Sequence, residues 1–358
     1  MLKHFRTILS ASWAKSKKSI VATTCFLLLF VILKLFNYSA SDAANNTGKD
    51  YINSHFKTFS LNIPKDLAFA GEKVPLNDYT VIESLDRELL INTYWQSQTL
   101  LLFKRANRWF PVIEPILKRN KIPDDFKYLA VVESGLTNII SPAKATGYWQ
   151  LLEETGKNYG LEINESVDER YSMEKSTEAA CKYFKEAYEK FNDWTLVAAS
   201  YNLGIGGISG QLEKQKVKNY YDMYLNDETT RYVFRVLAVK DILSRPEAYG
   251  FVIRKKDLYP TVPVKKVVVD SSITDLTAFA LNLGINYKIL KLLNPWLRSS
   301  TLNNPDKKKY SIDLPKKGVN ILEWAEAIEP DTTQLKEDSK KLKTETVSLN
   351  DSVKMTGK

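Results

Sequence analysis

Glu133 continues the apolar face of a predicted helix. In residues 124–135, Phe126, Leu129 and Ala130 recur at helical spacing, and the next position of this stripe carries the carboxylate of Glu133. Burial disfavours the charged form of a carboxyl group and raises its pKa by up to about 3–5 units. Such a group can stay protonated near neutral pH and donate a proton to a leaving oxygen. The pattern predicts a general acid, although pairing with an arginine would also explain it.

Polar side chains that could hold a substrate follow Glu133 along the chain. Gln150 is a long amide within a loop of otherwise apolar residues, so it needs hydrogen-bond partners if it is buried. Tyr201 and Asn202 end an apolar helix, where a phenol and an amide could fix a hydroxyl or N-acetyl group. Trp149 could stack on a sugar ring or belong to the core.

Five short motifs carry a resemblance to a known family. Three of them resemble the Glu-Ser, Gly-Leu-Trp/Met-Gln and Ala-Tyr-Asn-Ala-Gly motifs of the lytic murein transglycosylases: Glu133-Ser134, Gly147-Tyr148-Trp149-Gln150-Leu151 and Ala199-Ser200-Tyr201-Asn202-Leu203-Gly204. Two more are similar to stretches of the D-type membrane-bound branch: Val167-Asp168-Glu169-Arg170 and Glu228-Thr229-Thr230-Arg231-Tyr232-Val233. The resemblance covers roughly residues 80–255, and the motifs follow the family's order.

The resemblance implies the roles of the site residues. Glu133 would be the catalytic acid, and Ser134 would orient it or assist at the site. The substrate-binding residues would be Ser134, Gln150, Tyr201, Asn202 and Tyr232, where Tyr232 could equally serve aromatic packing. Three features depart from the family's pattern and could change the shape of the site: Ser200, Leu203 and the pair Glu153-Glu154.

The expected function is that of a peptidoglycan lytic transglycosylase. Glu133 would protonate the oxygen between N-acetylmuramic acid and N-acetylglucosamine and then accept a proton from the muramic 6-hydroxyl, which gives a 1,6-anhydro end. One alternative is a hydrolytic lysozyme, in which Glu153, Glu154 or Asp193 would position a water molecule. Another alternative is a non-catalytic scaffold that binds peptidoglycan.

The composition limits which kinds of ligand and partner are expected. The chain has 358 residues and a net charge of +9, but six Lys and Arg residues lie in the first 34 positions, and many others lie in Lys-rich tracts near the C-terminus. We therefore predict no nucleic-acid binding. The chain has two histidines and two cysteines, so neither a zinc site of ordinary ligand type nor a disulfide scaffold is expected. No cofactor is implied.

The N-terminal part is predicted to reach the bacterial inner membrane. Residues 1–18 form a basic segment that should stay cytoplasmic. Residues 19–38 are long and apolar enough for a transmembrane anchor, with Lys34 near the far end, and the remainder would then be periplasmic. A cleaved signal peptide that releases the protein into the periplasm is the alternative, because small residues follow this segment. Residues 39–76 resemble a linker.

The apolar stripes of the remaining chain predict a mainly α fold, and the resemblance implies a lysozyme-like helical catalytic domain plus a small α+β LysM-like domain. Residues 77–255 form the catalytic domain, residues 256–267 a second linker, and residues 317–358 a disordered tail. The β-α-α-β pattern in residues 268–316 resembles a LysM module, although the usual Gly-Asp-Thr-Leu opening is absent. We expect this module to modulate association with the cell wall without supplying chemistry.

Overall fold

The computed structural model describes residues 58–316, together with the single residue Lys34. Apart from Lys34, the predicted basic segment, membrane anchor and C-terminal tail lie outside the described residues, as do residues 39–57 of the predicted linker. Within the described part of the chain, no helix has both the length and the apolar character needed to cross a bilayer.

A short hairpin precedes the helices. Its strands β1 (Ala68–Phe69) and β2 (Glu72–Lys73) pair in antiparallel fashion. Phe69 is fully buried, and its ring centroid lies 5.2 Å from that of Phe126. This hairpin falls inside residues 39–76, and the linker prediction is wrong there because the apolar Phe69 side chain packs into the core of the helical domain.

Eight α-helices between residues 79 and 244 form the body of the structure. They are α1 (Tyr79–Tyr94), α2 (Gln96–Arg119), α3 (Lys127–Ser134), α4 (Glu153–Asn158), α5 (Met173–Phe191), α6 (Trp194–Leu203), α7 (Ile205–Gln215) and α8 (Asp227–Ser244). The predicted mainly α class is confirmed. Helix α8 packs against α1, α3 and α6, so the helices that carry the predicted site meet around it.

Helix α3 is short because of the residues at its two ends. A 3₁₀ turn (Asp124–Phe126) leads into it, and Gly135 stops it by adopting the left-handed conformation at φ 59°. Leu129 and Ala130 are completely buried, as the apolar stripe predicted. Glu133 therefore lies one turn beyond a fully packed helix face, in the last turn of α3.

The C-terminal module contains a two-stranded sheet and two short helices. Their bounds are β3 (Val264–Val269), α9 (Leu276–Asn282), α10 (Tyr287–Leu293) and β4 (Tyr310–Pro315). The strands are antiparallel, with Val264 opposite Pro315 and Val269 opposite Tyr310. This is the predicted β-α-α-β order. The sheet starts earlier than expected, because β3 begins inside residues 256–267, which were predicted to be a linker.

Candidate active site

Glu133 forms a hydrogen-bonded pair with Tyr232. The Tyr232 hydroxyl, on α8, donates to Glu133 Oε1 across 2.6 Å. Tyr232 is 2% exposed, whereas Glu133 keeps partial access to solvent. Desolvation raises the pKa of Glu133 to about 7; the Tyr232 hydrogen bond and the charge of Arg235 oppose this shift, and the charge of Glu228 adds to it.

A carboxyl group in this state can perform both halves of an acid-base cycle. With a pKa of about 7, Glu133 is present in both protonation states near neutral pH. General acid-base catalysis is most efficient when the pKa lies near the working pH. The partial exposure of Glu133 leaves a route for a substrate oxygen, and Tyr232 fixes the carboxyl group from the buried side.

Ser134 and Tyr201 hold the loop of residues 139–151, which we call the Gln150 loop. The Ser134 hydroxyl donates to the Tyr148 carbonyl at 2.7 Å and is 3.1 Å from the Ala130 carbonyl. The Tyr201 hydroxyl donates to the Trp149 carbonyl at 2.7 Å. These two predicted substrate-binding residues thus bind consecutive backbone carbonyls and set the position of the loop relative to α3 and α6.

Gln150 is locked into the same loop. Its backbone lies in the left-handed region at φ 48°, which non-glycine residues seldom adopt. Its side-chain nitrogen donates to the carbonyls of Ile139 at 3.0 Å and Gly147 at 2.8 Å. An amide nitrogen has two hydrogens, so both are used, and the oxygen Oε1 remains the group through which Gln150 can accept a hydrogen bond from a sugar.

Asn202 is exposed at the end of α6. Its oxygen Oδ1 accepts a hydrogen bond of 2.8 Å from the Thr229 hydroxyl on α8. This bond orients the side-chain amide and leaves its two hydrogens as donors for a ligand. Asn202 is therefore the predicted substrate-binding residue whose donors are best presented to solvent.

Trp149 belongs to the core. Its side chain is fully buried, and Nε1 donates to the Thr177 hydroxyl at 2.8 Å. Its ring contacts that of Tyr201 edge to face, with centroids 6.3 Å apart. The suggestion that Trp149 stacks on a sugar ring is therefore wrong, and its contribution is to support the Gln150 loop from beneath.

Ser200 and Leu203, which depart from the family's pattern, both fit their surroundings. The buried Ser200 hydroxyl donates to the Val197 carbonyl of its own helix at 2.8 Å, so no polar group is left unpaired. Leu203 covers Gly207: a Cβ atom added to Gly207 would lie 2.8 Å from Leu203 Cγ. The larger side chain at position 203 is accommodated by the glycine beside it.

The carboxylate whose charge acts on Glu133 is not one of the three suggested for a lysozyme. Glu153 pairs with Lys157 at 2.6 Å, and Asp193 caps α6 by accepting from the Leu196 amide at 2.7 Å. Glu154 is exposed in α4. The charge of Glu228 raises the pKa of Glu133. Glu228 lies four residues before Tyr232 on α8, so the two side chains share one face of that helix.

Replacing Tyr232 by Phe should shift the pH dependence of the reaction rate. Without the phenol, the pKa of Glu133 rises further, because a hydrogen bond to the charged form is lost. Because the predicted general acid must be protonated to act, the basic limb of the pH–rate profile should move to higher pH. The maximal rate should fall by about ten- to a hundredfold, as a hydrogen bond to a charged group is worth about 1.5–3 kcal/mol.

Tyr159→Phe is the matched control for this variant. It removes another tyrosine–glutamate hydrogen bond, from Tyr159 to Glu186 at 2.8 Å, which is exposed to solvent. The pH–rate profile of this control, measured from pH 4 to pH 9, should match that of the wild type. A basic limb that moved to lower pH in Tyr232→Phe would show that the phenol does not stabilise the carboxylate.

Sequence comparison assigns the region that contains this site. Residues 110–224 match the transglycosylase SLT domain family, and residues 265–318 match the soluble lytic transglycosylase C-terminal LysM-like domain family. The chain carries an SLT domain followed by a LysM-like domain. Glu133, Gln150 and Asn202 lie inside the SLT match, whereas Tyr232 lies just beyond its end.

Similar proteins cover only part of this chain. Over 245 residues it is 29% identical to the membrane-bound lytic murein transglycosylase D of Escherichia coli strain K12, which is 66% of this chain and 52% of that protein. The chain thus spans about half the length of this relative. It is also 28% identical over 127 residues to a putative tributyltin chloride resistance protein of an Alteromonas species, covering 35% of this chain and 61% of that one.

A solved structure also resembles part of the chain. It is an inactive mutant of the lytic transglycosylase Slt from Pseudomonas aeruginosa, with a TM-score of 0.31 and 18% sequence identity. The alignment covers 42% of this chain and 26% of that one.

Proposed function

We propose that this protein is a peptidoglycan lytic transglycosylase that serves cell-wall remodelling. The observation that carries the proposal is the Glu133–Tyr232 pair, in which a partly accessible carboxyl group has a pKa of about 7. The SLT domain and the resemblance to the E. coli murein transglycosylase support peptidoglycan as the substrate. The bond cleaved is the β-1,4 linkage between N-acetylmuramic acid and N-acetylglucosamine.

The proposed reaction uses Glu133 twice. Its proton passes to the glycosidic oxygen as the bond to the anomeric carbon breaks. The carboxylate then takes the proton of the muramic 6-hydroxyl, whose oxygen forms the new bond to the same anomeric carbon. No water is consumed, and Glu133 is protonated again at the end of the reaction. Because the nucleophile belongs to the substrate, holding it in place can supply several kcal/mol of the barrier.

Other site residues would hold the sugar around Glu133. The Asn202 amide hydrogens suit a carbonyl oxygen, such as that of an N-acetyl group, and Gln150 Oε1 suits a sugar hydroxyl. Ser134 and Tyr201 act through the backbone of the Gln150 loop, so we assign them positioning roles instead of direct contact. Tyr232 is proposed to act on the acid, with no sugar contact of its own.

The proposed location is the periplasmic side of the bacterial inner membrane. The basic N-terminal segment and the apolar residues 19–38 support a single-pass anchor, and the membrane-bound E. coli relative is consistent with it. Cleavage of this segment as a signal peptide is the alternative. Cell fractionation combined with N-terminal sequencing of the mature protein distinguishes the two, because cleavage would give a soluble chain that starts near residue 42 or 44.

The products of digestion test the proposed reaction. We expect purified peptidoglycan to yield fragments that end in 1,6-anhydro-N-acetylmuramic acid, each lighter by one water molecule than the hydrolytic product. Mass spectrometry and reduction with borohydride separate the two, because only a reducing end reacts. Glu153→Gln, a change in an exposed residue already paired with Lys157, should leave this product pattern unchanged.

The hydrolytic alternative predicts the opposite result. A retaining or inverting hydrolase needs a second carboxylate about 5–9.5 Å from the acid. Glu228 is the candidate, since its charge acts on Glu133. A digest that contained only reducing ends, together with an inactive Glu228→Gln variant, would establish a lysozyme and rule out the transglycosylase.

A further inference from the structure

The LysM-like module is joined to the helical domain through backbone hydrogen bonds. Leu297 of the module forms an antiparallel bridge with Val167. On either side of it, the Arg298 amide donates to the Ser166 carbonyl at 2.8 Å, and the Asp168 amide donates to the Trp296 carbonyl at 2.9 Å. Val167 is fully buried among the apolar side chains of the module. The module's core is thus completed by a residue from the helical domain.

Side chains extend this interface on both sides of Val167. Glu162 pairs with Lys308 and accepts a hydrogen bond of 2.8 Å from the Tyr310 hydroxyl. The Arg298 guanidinium lies 3.8 Å from the centre of the Tyr171 ring. Lys266, on β3, pairs with Glu174 at 3.0 Å. These four module side chains add to the backbone contacts with the segment that runs from residue 162 to the start of α5.

The connecting chain is also attached to the helical domain. The Asn107 side chain donates to the Tyr259 carbonyl at 3.0 Å, and Arg108 Nε donates to the Pro260 carbonyl at 3.1 Å. Both donors lie on α2. Residues 256–267 therefore follow a fixed path along α2 up to β3, instead of acting as a free tether.

The segment that binds the module also binds the Gln150 loop. Asp168 holds Arg170 through two hydrogen bonds of 3.0 and 2.7 Å. Arg170 Nη1 then donates to the Leu151 carbonyl at 3.2 Å. The Arg170 carbonyl lies against Gly147, at 2.0 Å from where a Cβ atom would be. Arg170 thus lies between the module's docking site and the loop that carries Gln150.

We propose that the LysM-like module is held rigidly against the helical domain as part of the catalytic unit. Arg170 is a positioning residue, through which the docked module stabilises the Gln150 loop. This inference rests on the proposed function. A tethered binding module would affect only the digestion of intact cell wall. A rigidly docked module also affects turnover of short, soluble glycan, because the Gln150 loop next to Glu133 loses its support when the module dissociates.

The test uses the full chain with a specific protease site inserted between Thr261 and Val262, at an exposed point of the connection. A second form carries three surface substitutions that weaken docking: Glu162→Lys, Arg298→Ala and Lys266→Glu. Each form is cut, passed over a size-exclusion column, and assayed on a soluble glycan tetrasaccharide. Lys265→Glu is the matched control, because it changes the same charge at the neighbouring exposed position of β3.

In the cut chain without these substitutions, the module should co-elute with the helical domain and turnover should persist. In the weakened chain the module should elute separately, and kcat on the soluble glycan should fall by about ten- to a hundredfold, because small misplacements in an active site cost that much. Adding Lys308→Glu restores an ion pair with position 162 and should recover part of both docking and kcat. Released module with kcat within about twofold of the uncut chain would overturn the proposal.

Arg170→Lys examines the positioning role directly. Lysine keeps the charge but cannot form the paired hydrogen bonds with Asp168 and reach Leu151 at once. We expect a lower kcat, with the basic limb of the pH profile unmoved because the contacts of Glu133 are intact. Unchanged kcat in a folded variant would remove Arg170 from the proposal. If the intact wild-type chain yields no 1,6-anhydro product, the proposed function fails, whereas co-elution is measured without substrate.

Discussion

Glu133→Gln should abolish turnover while sugar binding and the fold persist. The amide oxygen can still accept the Tyr232 hydrogen bond, so the geometry of α3 and α8 is kept. The amide cannot transfer a proton, and general acid-base catalysis is typically worth about 10²–10⁴-fold, with more expected where one group acts twice. Rates on purified peptidoglycan, and binding of a soluble glycan measured by calorimetry, check the two halves of this prediction.

The difference in stability between this variant and the wild type should depend on pH. The pKa of Glu133 is about 7 in the folded chain against 4.5 ordinarily, so the folded state binds more protons between these values. Stability conferred by this group is therefore complete below about pH 4.5 and is lost as the pH rises through 7. Glu133→Gln should melt at a higher temperature than the wild type at pH 8, with the difference vanishing near pH 4. An active Glu133→Gln enzyme would exclude the proposed mechanism altogether.

Gly147→Ala should damage both the fold and the site. A Cβ atom there would lie 2.0 Å from the Arg170 carbonyl oxygen, and φ is 83°. The neighbour is backbone, so the Gln150 loop itself must move. Left-handed strain and overpacking together should cost about 3–5 kcal/mol. Turnover should fall by about a hundredfold or more, because the carbonyls that Ser134 and Tyr201 hold would shift. Urea unfolding and steady-state kinetics measure both effects.

Gly71→Ala separates steric overlap from backbone strain. Gly71 has nearly the same φ of 85°, but nothing lies within 4 Å of a Cβ atom placed there. Only the conformational cost of about 1–2 kcal/mol should appear, with turnover unchanged. Equal losses of stability in the two variants would mean that Gly147 is required for its dihedral angles alone and that contact with Arg170 is unimportant.

The sequence predicted what depends on neighbours along the chain. The apolar stripe before Glu133 required only helical periodicity, and its residues Leu129 and Ala130 are buried in α3. The order of strands and helices in the module followed from local patterns in the same way. Glu133 and its partner Tyr232 are 99 positions apart in the sequence, so no local pattern could reveal their hydrogen bond. The motif around Tyr232 indicated that this residue belongs to the site, but it did not show that Tyr232 contacts Glu133.

The directions of polar side chains were the main gap. Ser134 and Tyr201 were expected to contact the sugar, yet their hydroxyls bind carbonyls of the Gln150 loop. The number of hydrogen bonds that a side chain spends within the protein depends on packing, which sequence spacing does not give. The hairpin around Phe69 and the docking of Val167 were missed for a related reason, since both bury single apolar residues against distant elements.

The anchoring of the Gln150 loop determines which sequence changes the loop can accept. Ser134 and Tyr201 grip the main chain at positions 148 and 149, and a backbone carbonyl is present whatever residue occupies those positions. Side chains there can change during evolution, as between methionine and tryptophan in the resembling motif, without losing either hold. Because both side chains are buried, changes at these two positions alter the packing beneath the loop while the hydrogen bonds of Ser134 and Tyr201 to its main chain remain.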